Sequence, residues 1–123
     1  MSVVVDASVM IAWQDPGHVF HDVATSLIMG AEPPLYMSEL NLAEVLIGLD
    51  RGCWTSFVDA LVDVGFVFCS PSASDVAQAR LDSHLRMPDA YVIATARAQG
   101  CDAVISFDEA IIRASSALGI ATN

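Results

Sequence analysis

Short apolar runs separated by helical stretches constrain this chain more than any other feature. The runs are Val3-Val4-Val5, Leu35-Tyr36-Met37, Phe66-Val67-Phe68-Cys69 and Ala103-Val104-Ile105-Ser106. Each is too short for a helix and is followed by a segment with helical apolar spacing or helix-start signals. Strands that alternate with helices build a parallel sheet with helices packed on it, so an α/β fold is expected. The first strand is expected over residues 2–6, the run 66–69 as a buried strand, and the tail 119–121 as a candidate final edge strand. With 123 residues and no repeat, linker or low-complexity segment, the chain reads as one domain, 1–123, large enough for its own core.

The helices follow from local signals. Residues 7–13 and 18–29 are expected to be helical, with Asp15-Pro16-Gly17 as a turn between them and Val19, Phe20, Val23 and Leu27 on the apolar side of the second. Ser38 reads as an N-cap. The helix it starts is expected to reach Arg51, with Gly52 as its stop and Leu42, Val45, Leu46 and Leu49 as its main stripe. Further helices are expected over 54–64, 74–84, from Pro88 to Gln99, and over 108–114.

Four acids stand at informative places in this pattern. Asp6 closes the first strand, and Asp108 lies just past the strand that ends at Ser106. In open parallel sheets, ligands bind outside the carboxyl ends of the strands. Asp89 occupies a first helical turn, where the dipole favours an anion. Its neighbours Val92, Ile93 and Ala96 mark an inward face. Glu44 lies off its helix's main stripe, between Leu40 and Ile47, and is expected to be semi-buried. Four ionised carboxylates brought together would repel and shift upward in pKa, and a hard divalent cation resolves that conflict. As plain alternatives, Asp6 and Asp108 serve as helix caps, Asp89 as a dipole partner and Glu44 as a surface acid. Ser8 reads as a cap or an outer hydrogen-bonder to the site rather than a nucleophile, because no histidine is placed to activate it.

The composition limits the partners. Fifteen acids against five arginines, with no lysine, give a net charge of −10. A chain that grips phosphate backbones by bulk electrostatics should be basic. Either nucleic acid is not the partner, or the acids serve a cation site and a basic protein partner exists as well. Cys53, Cys69 and Cys101 are an odd, widely spaced set, expected as reduced thiols. No basic leader precedes the first strand and no run reaches about 18 apolar residues. A cytoplasmic protein without a membrane span is therefore expected. The 54% hydrophobic content exceeds what a small interior needs and points to a subunit or partner interface. Trp13 and Trp54 are assigned to the core or to that interface. His18 and His21 lack a third ligand for zinc.

Taken together, Asp6-Ala7-Ser8 after the first strand, Ser38-Glu39-Leu40-Asn41-Leu42-Ala43-Glu44-Val45, Met87-Pro88-Asp89-Ala90-Tyr91-Val92-Ile93-Ala94-Thr95-Ala96, and Val104-Ile105-Ser106-Phe107-Asp108 resemble the PIN-domain family, with the closest likeness to its VapC-type toxins. The likeness spans nearly the whole chain. It implies a PIN-like α/β/α sandwich with a central parallel sheet of about four to five strands. It implies a Mg²⁺- or Mn²⁺-dependent ribonuclease in which Asp6, Glu44, Asp89 and Asp108 are the acidic catalytic and metal positions, with Ser8 and Ser106 as hydroxyls behind them. It also implies a homodimer and an inhibitory antitoxin protein. Two departures stand out. Ser106 replaces a common Thr, keeping the hydroxyl. Glu109 follows Asp108 where a basic residue is frequent, which leaves the hold on the RNA backbone in question. Arg86 is the candidate phosphate contact.

Two other functions compete. Phosphoryl transfer through an aspartyl-phosphate would also place an aspartate at a strand end, but that chemistry relies on a lysine the chain lacks. A PIN-like module that binds RNA or protein without cutting, or cuts weakly, is the alternative. The four filled acidic positions argue against it.

Overall fold

A computed structural model describes residues 2–123. Five strands, β1 (Val3–Val5), β2 (Leu35–Ser38), β3 (Phe66–Cys69), β4 (Ala103–Ile105) and β5 (Ala121–Thr122), form one sheet in the order β3-β2-β1-β4-β5. Every pairing is parallel. The helices are α1 (Ala7–Gln14), α2 (His21–Met29), α3 (Glu39–Ile47), α4 (Trp54–Val64), α5 (Ala73–Ser83), α6 (Met87–Gln99) and α7 (Glu109–Ala117), with a short 3₁₀ turn at Arg51–Cys53.

The β-branched run of β1 is buried on both faces, as a central parallel strand requires. Alternation divides its side chains between two cores. Val3 and Val5 join α1, α2 and α3 residues such as Met10, Ile28 and Val45 on one face. Val4 joins Val76, Ile93 and Ile111 from α5, α6 and α7 on the other. The result is the expected α/β/α sandwich. On the second face α6 packs under β1, β2 and β4, and its row from Val92 to Ala96 is wholly buried. Small residues there let the helix lie close to the sheet.

Several local expectations are corrected. The second helix begins at His21 rather than at residue 18, and it buries Ala24 and Ile28. Val19, Phe20 and Val23 are exposed, because the chain around Asp15-Pro16-Gly17 turns twice before the helix settles. The helix from Ser38 ends at Ile47, capped at Gly48. A second turn, opened by the Asp50 carboxylate accepting from the Gly52 N–H, then re-aims the chain. β3 is an edge strand, and Val67 faces solvent. Gly65 cannot be replaced without strain: its φ is +114° and an added Cβ would lie 2.7 Å from Pro33. Trp54 packs half-buried, its indole N–H donating to the Leu46 carbonyl at 2.8 Å. Burial pushes the Cys69 and Cys101 thiols up, Cys101 to about 11, so both are protonated packing groups at neutral pH. Among the described residues no helix is long and apolar enough to cross a membrane.

Among the described residues, Ser115 in α7 carries a buried hydroxyl without a partner. A buried polar group left unpaired opposes folding, and alanine is the better helix former. Ser115→Ala is therefore expected to raise the free energy of unfolding by about 0.5–1.5 kcal/mol in urea denaturation. A loss of about 1 kcal/mol or more would contradict this packing.

Candidate metal centre

The sheet reverses its winding between β1 and β4. From β1 the chain moves to β2 and then β3, and only later crosses back to place β4 on the other side of β1. The crevice above such a point is where open parallel sheets bind ligands. Asp6 and Asp108 both stand there. The Asp6 amide extends the β1–β4 ladder by donating to the Ile105 carbonyl at 2.9 Å.

Asp6 is only 5% exposed, and its carboxylate is fixed by hydroxyls. Oδ2 accepts from Ser8 Oγ at 2.6 Å, from Ser106 Oγ at 2.9 Å and, at 3.4 Å, from the Ser8 amide. Each serine oxygen in turn accepts an amide of the turn after β4. Phe107 N–H donates to Ser8 Oγ at 3.0 Å, and Asp108 N–H donates to Ser106 Oγ at 2.9 Å. These bonds lock the two strand ends into one unit and leave Asp6 Oδ1 outside the set. The Phe107 ring is further backed by Phe20, at a centroid distance of 5.2 Å.

Asp108 caps α7, its Oδ1 accepting from the Ala110 and Ile111 amides at 2.9 and 3.2 Å. Capping and a role at the crevice are thus compatible for both acids: one carboxylate oxygen serves the helix, and the other is left over.

Asp89 enters from the first turn of α6, behind Pro88. Its carboxyl is pushed above the usual aspartate range, first by burial, then by the charges of Asp108 and Asp6, and to a lesser degree by Glu44. Arg86 pulls the other way, but its guanidinium is 3.9 Å from Oδ2 on a side chain 86% exposed. An exposed pair at that distance contributes little. The other three acids therefore all act on this one carboxyl. Glu44 is exposed on α3, which corrects the semi-buried expectation. Its neighbour Ile47 is 79% exposed, so the second face of α3 points outward. The Asn41 amide holds Glu44 Oε1 at 2.8 Å.

This donor set is all oxygen and anionic, which suits Mg²⁺ or Mn²⁺ rather than a softer metal. Among the described residues, no three His, Cys, Asp or Glu side chains already converge on one point. Simultaneous ligation would need the acids to draw closer together than they stand. Arg86 stands beside Asp89. The histidines are engaged elsewhere: the His18 ring accepts from the Phe20 amide and the His21 ring pairs with the Ala12 carbonyl. Asn41 was not singled out by its sequence context. Its signal is the three-residue spacing Ser38, Asn41, Glu44, which aligns cap, amide and acid along one helix edge.

The PIN-domain profile matches residues 3–116, most of the chain. This chain belongs to the PIN-domain family. Solved structures agree on the PIN fold. Mycobacterium tuberculosis VapC20, described as a Sarcin-Ricin loop cleaving toxin, is 23% identical over 96% of this chain and 95% of its own, with a TM-score of 0.75. FitAcB from Neisseria gonorrhoeae is 17% identical over 98% of this chain and 95% of its own, with a TM-score of 0.69. A toxin–antitoxin complex from Klebsiella pneumoniae is 17% identical over 89% of each chain, with a TM-score of 0.66. Among curated proteins, none matches this chain in sequence.

The raised Asp89 has a testable sign. Because its ionised form is disfavoured in the folded state, the folded chain binds the extra proton between the unfolded and folded pKa values. Stability from this group is greatest in acid and is lost as pH rises through the raised value. The α6 dipole opposes this shift, so burial and charge crowding outweigh it. With EDTA present, Asp89→Asn is expected to melt above the wild type at pH 7, and the gap should close below the ordinary aspartate range. A lower melting temperature at pH 7 would contradict the crowding.

Proposed function

We propose that this PIN domain is a Mg²⁺- or Mn²⁺-dependent endoribonuclease that acts as the toxin of a type II toxin–antitoxin pair. The reading rests on the placement of Asp6 and Asp108 at the carboxyl ends of β1 and β4, with Asp6 held by the Ser8 and Ser106 hydroxyls, and Asp89 brought near both at the start of α6. Unrelated surface acids do not gather where a parallel sheet binds its ligand. VapC20, a Sarcin-Ricin loop cleaving toxin of the same fold, and the Klebsiella toxin–antitoxin complex support the substrate class and the kind of partner.

In this reading Asp6, Glu44 and Asp89 hold the principal cation and Asp108 completes the site. When bound, the cation lowers the pKa of an attacking water and offsets charge on the phosphoryl oxygens. The chain supplies the geometry. Ser8 and Ser106 fix Asp6 so that one oxygen stays turned to the crevice. Pro88 and the first turn of α6 bring Asp89 in from the side. Attack in line would leave a 5′-phosphate and a 3′-hydroxyl. Arg86, exposed at the mouth of the site, contacts a substrate phosphate. The aromatic rings of Phe20 and Phe107, beside Asp108, offer bases a stacking surface that needs no charge.

The net charge of −10 without lysine fits a partner with a basic segment over the crevice, as an antitoxin would supply in the cytoplasm. Exposed apolar side chains, among them Val19 at 84%, Ile47 at 79% and Leu81 at 67%, leave surface for that partner and for a homodimer.

Asp6→Asn is the decisive substitution. The amide oxygen can still accept from Ser8 and Ser106, while the NH₂ turned to the crevice cannot ligate a cation. The variant is expected to fold like the wild type and to lose RNA cleavage and cell toxicity by more than about 100-fold, beyond the cost of losing an outer partner of a metal site. Excess EDTA should do the same to the wild type. Full cleavage in either case would refute the reading. A non-cutting binding module would instead show no divalent ion binding that depends on Asp6.

A further inference from the structure

Asn41 is 1% exposed, and every polar atom of its side chain is matched. Ser38 Oγ donates to its Oδ1 at 2.6 Å. Its Nδ2 donates to Glu44 Oε1 at 2.8 Å and to the Pro88 carbonyl at 3.0 Å. Only this orientation of the amide works. Reversed, Oδ1 would face two acceptors with no proton between them.

The two N–H bonds reach both sides of the crevice. Glu44 lies on α3, and the Pro88 carbonyl belongs to the peptide that links Pro88 to Asp89 at the start of α6. One buried amide therefore joins an exposed carboxylate to the backbone that carries a second one. Ser38 holds the amide from behind: it caps α3 by accepting the Asn41 backbone N–H at 3.0 Å while donating to the Asn41 side chain. Cap, amide and acid are thereby linked in series, whereas an unrestrained glutamate on an exposed helix face samples many rotamers.

We infer that Asn41 is a positioning residue that orders Glu44 and registers it against the Asp89 peptide, so that both carboxylates meet a shared divalent cation from fixed directions. This rests on the reading of the four acids as a cation site.

Mn²⁺ titration followed by the EPR signal of the free ion tests it, on full-length protein and without any activity measurement. Asn41→Leu keeps the approximate shape of the side chain and removes its hydrogen bonds. Asn41→Ser is the smaller alternative should leucine disturb packing. Either folded variant is expected to bind Mn²⁺ about 10- to 100-fold more weakly than the wild type, the range for losing an outer partner of a metal ligand. In a Glu44→Ala background the same change should have little further effect, because its target is gone. Folded variants that bind within about twofold of the wild type, or an equal loss in both backgrounds, would overturn the inference. Wild-type protein without Asp6-dependent Mn²⁺ binding would overturn the cation reading and this inference together. The expected pattern with RNA left uncut would sink the nuclease reading alone.

Discussion

A carboxylate 5% exposed at the centre of a sheet is costly unless its charge is compensated. Asp6 meets part of that demand with two serine hydroxyls, and those hydroxyls receive two backbone amides from the turn after β4. The network does more than satisfy hydrogen bonds. It sets the spacing between the end of β1 and the start of α7, and so places Asp108 relative to Asp6. Asp89 and Glu44 are then brought in by two other helices, α6 and α3, which are tied to each other through Asn41. The crevice is built from four separate parts of the chain, joined in two pairs by polar contacts.

The same arrangement gives the acidic composition a location. Charge crowding at Asp89 is unfavourable for the bare protein, and a bound cation would relieve it. Folded proteins keep unfavourable features where function needs them. A lysine-free chain of net charge −10 would repel RNA at long range, so in the proposed reading substrate contact relies on a bridging cation, on the arginines and on ring stacking. A basic partner over the crevice would gain from the very field that RNA must overcome.

Much of this was legible in the sequence. Strand runs of three or four residues with helices between them specify a parallel sheet, and glycines at 65 and 100 mark helix ends that the structure confirms with left-handed conformations. The places of Asp6, Asp108 and Asp89 in the fold were readable because each sits where a backbone element ends or begins, and such places are fixed by topology. The depth of Glu44 was harder. It lies within a helix, where periodicity gives a face but not a depth, and its side of α3 proved exposed. The early end of α3 was hidden as well: Leu46 and Leu49 continue the apolar period, and only the Asp50–Gly52 turn shows that the chain has left the helix. The apolar residues Val19, Phe20 and Val23 misled because hydrophobicity alone cannot separate a core face from an interaction surface. Asn41 was invisible as a site residue, since its role depends on the Pro88 carbonyl, 47 residues away.

In the proposed reading, four carboxylates from separate elements serve one divalent cation. Anomalous diffraction at the manganese edge, from crystals of the wild-type protein grown with Mn²⁺, would locate that ion. A strong peak is expected in the β1–β4 crevice, ringed by oxygens of Asp6, Glu44, Asp89 and Asp108. A crevice without a peak at saturating Mn²⁺, or a cation held elsewhere and untouched by Asp6, would contradict it.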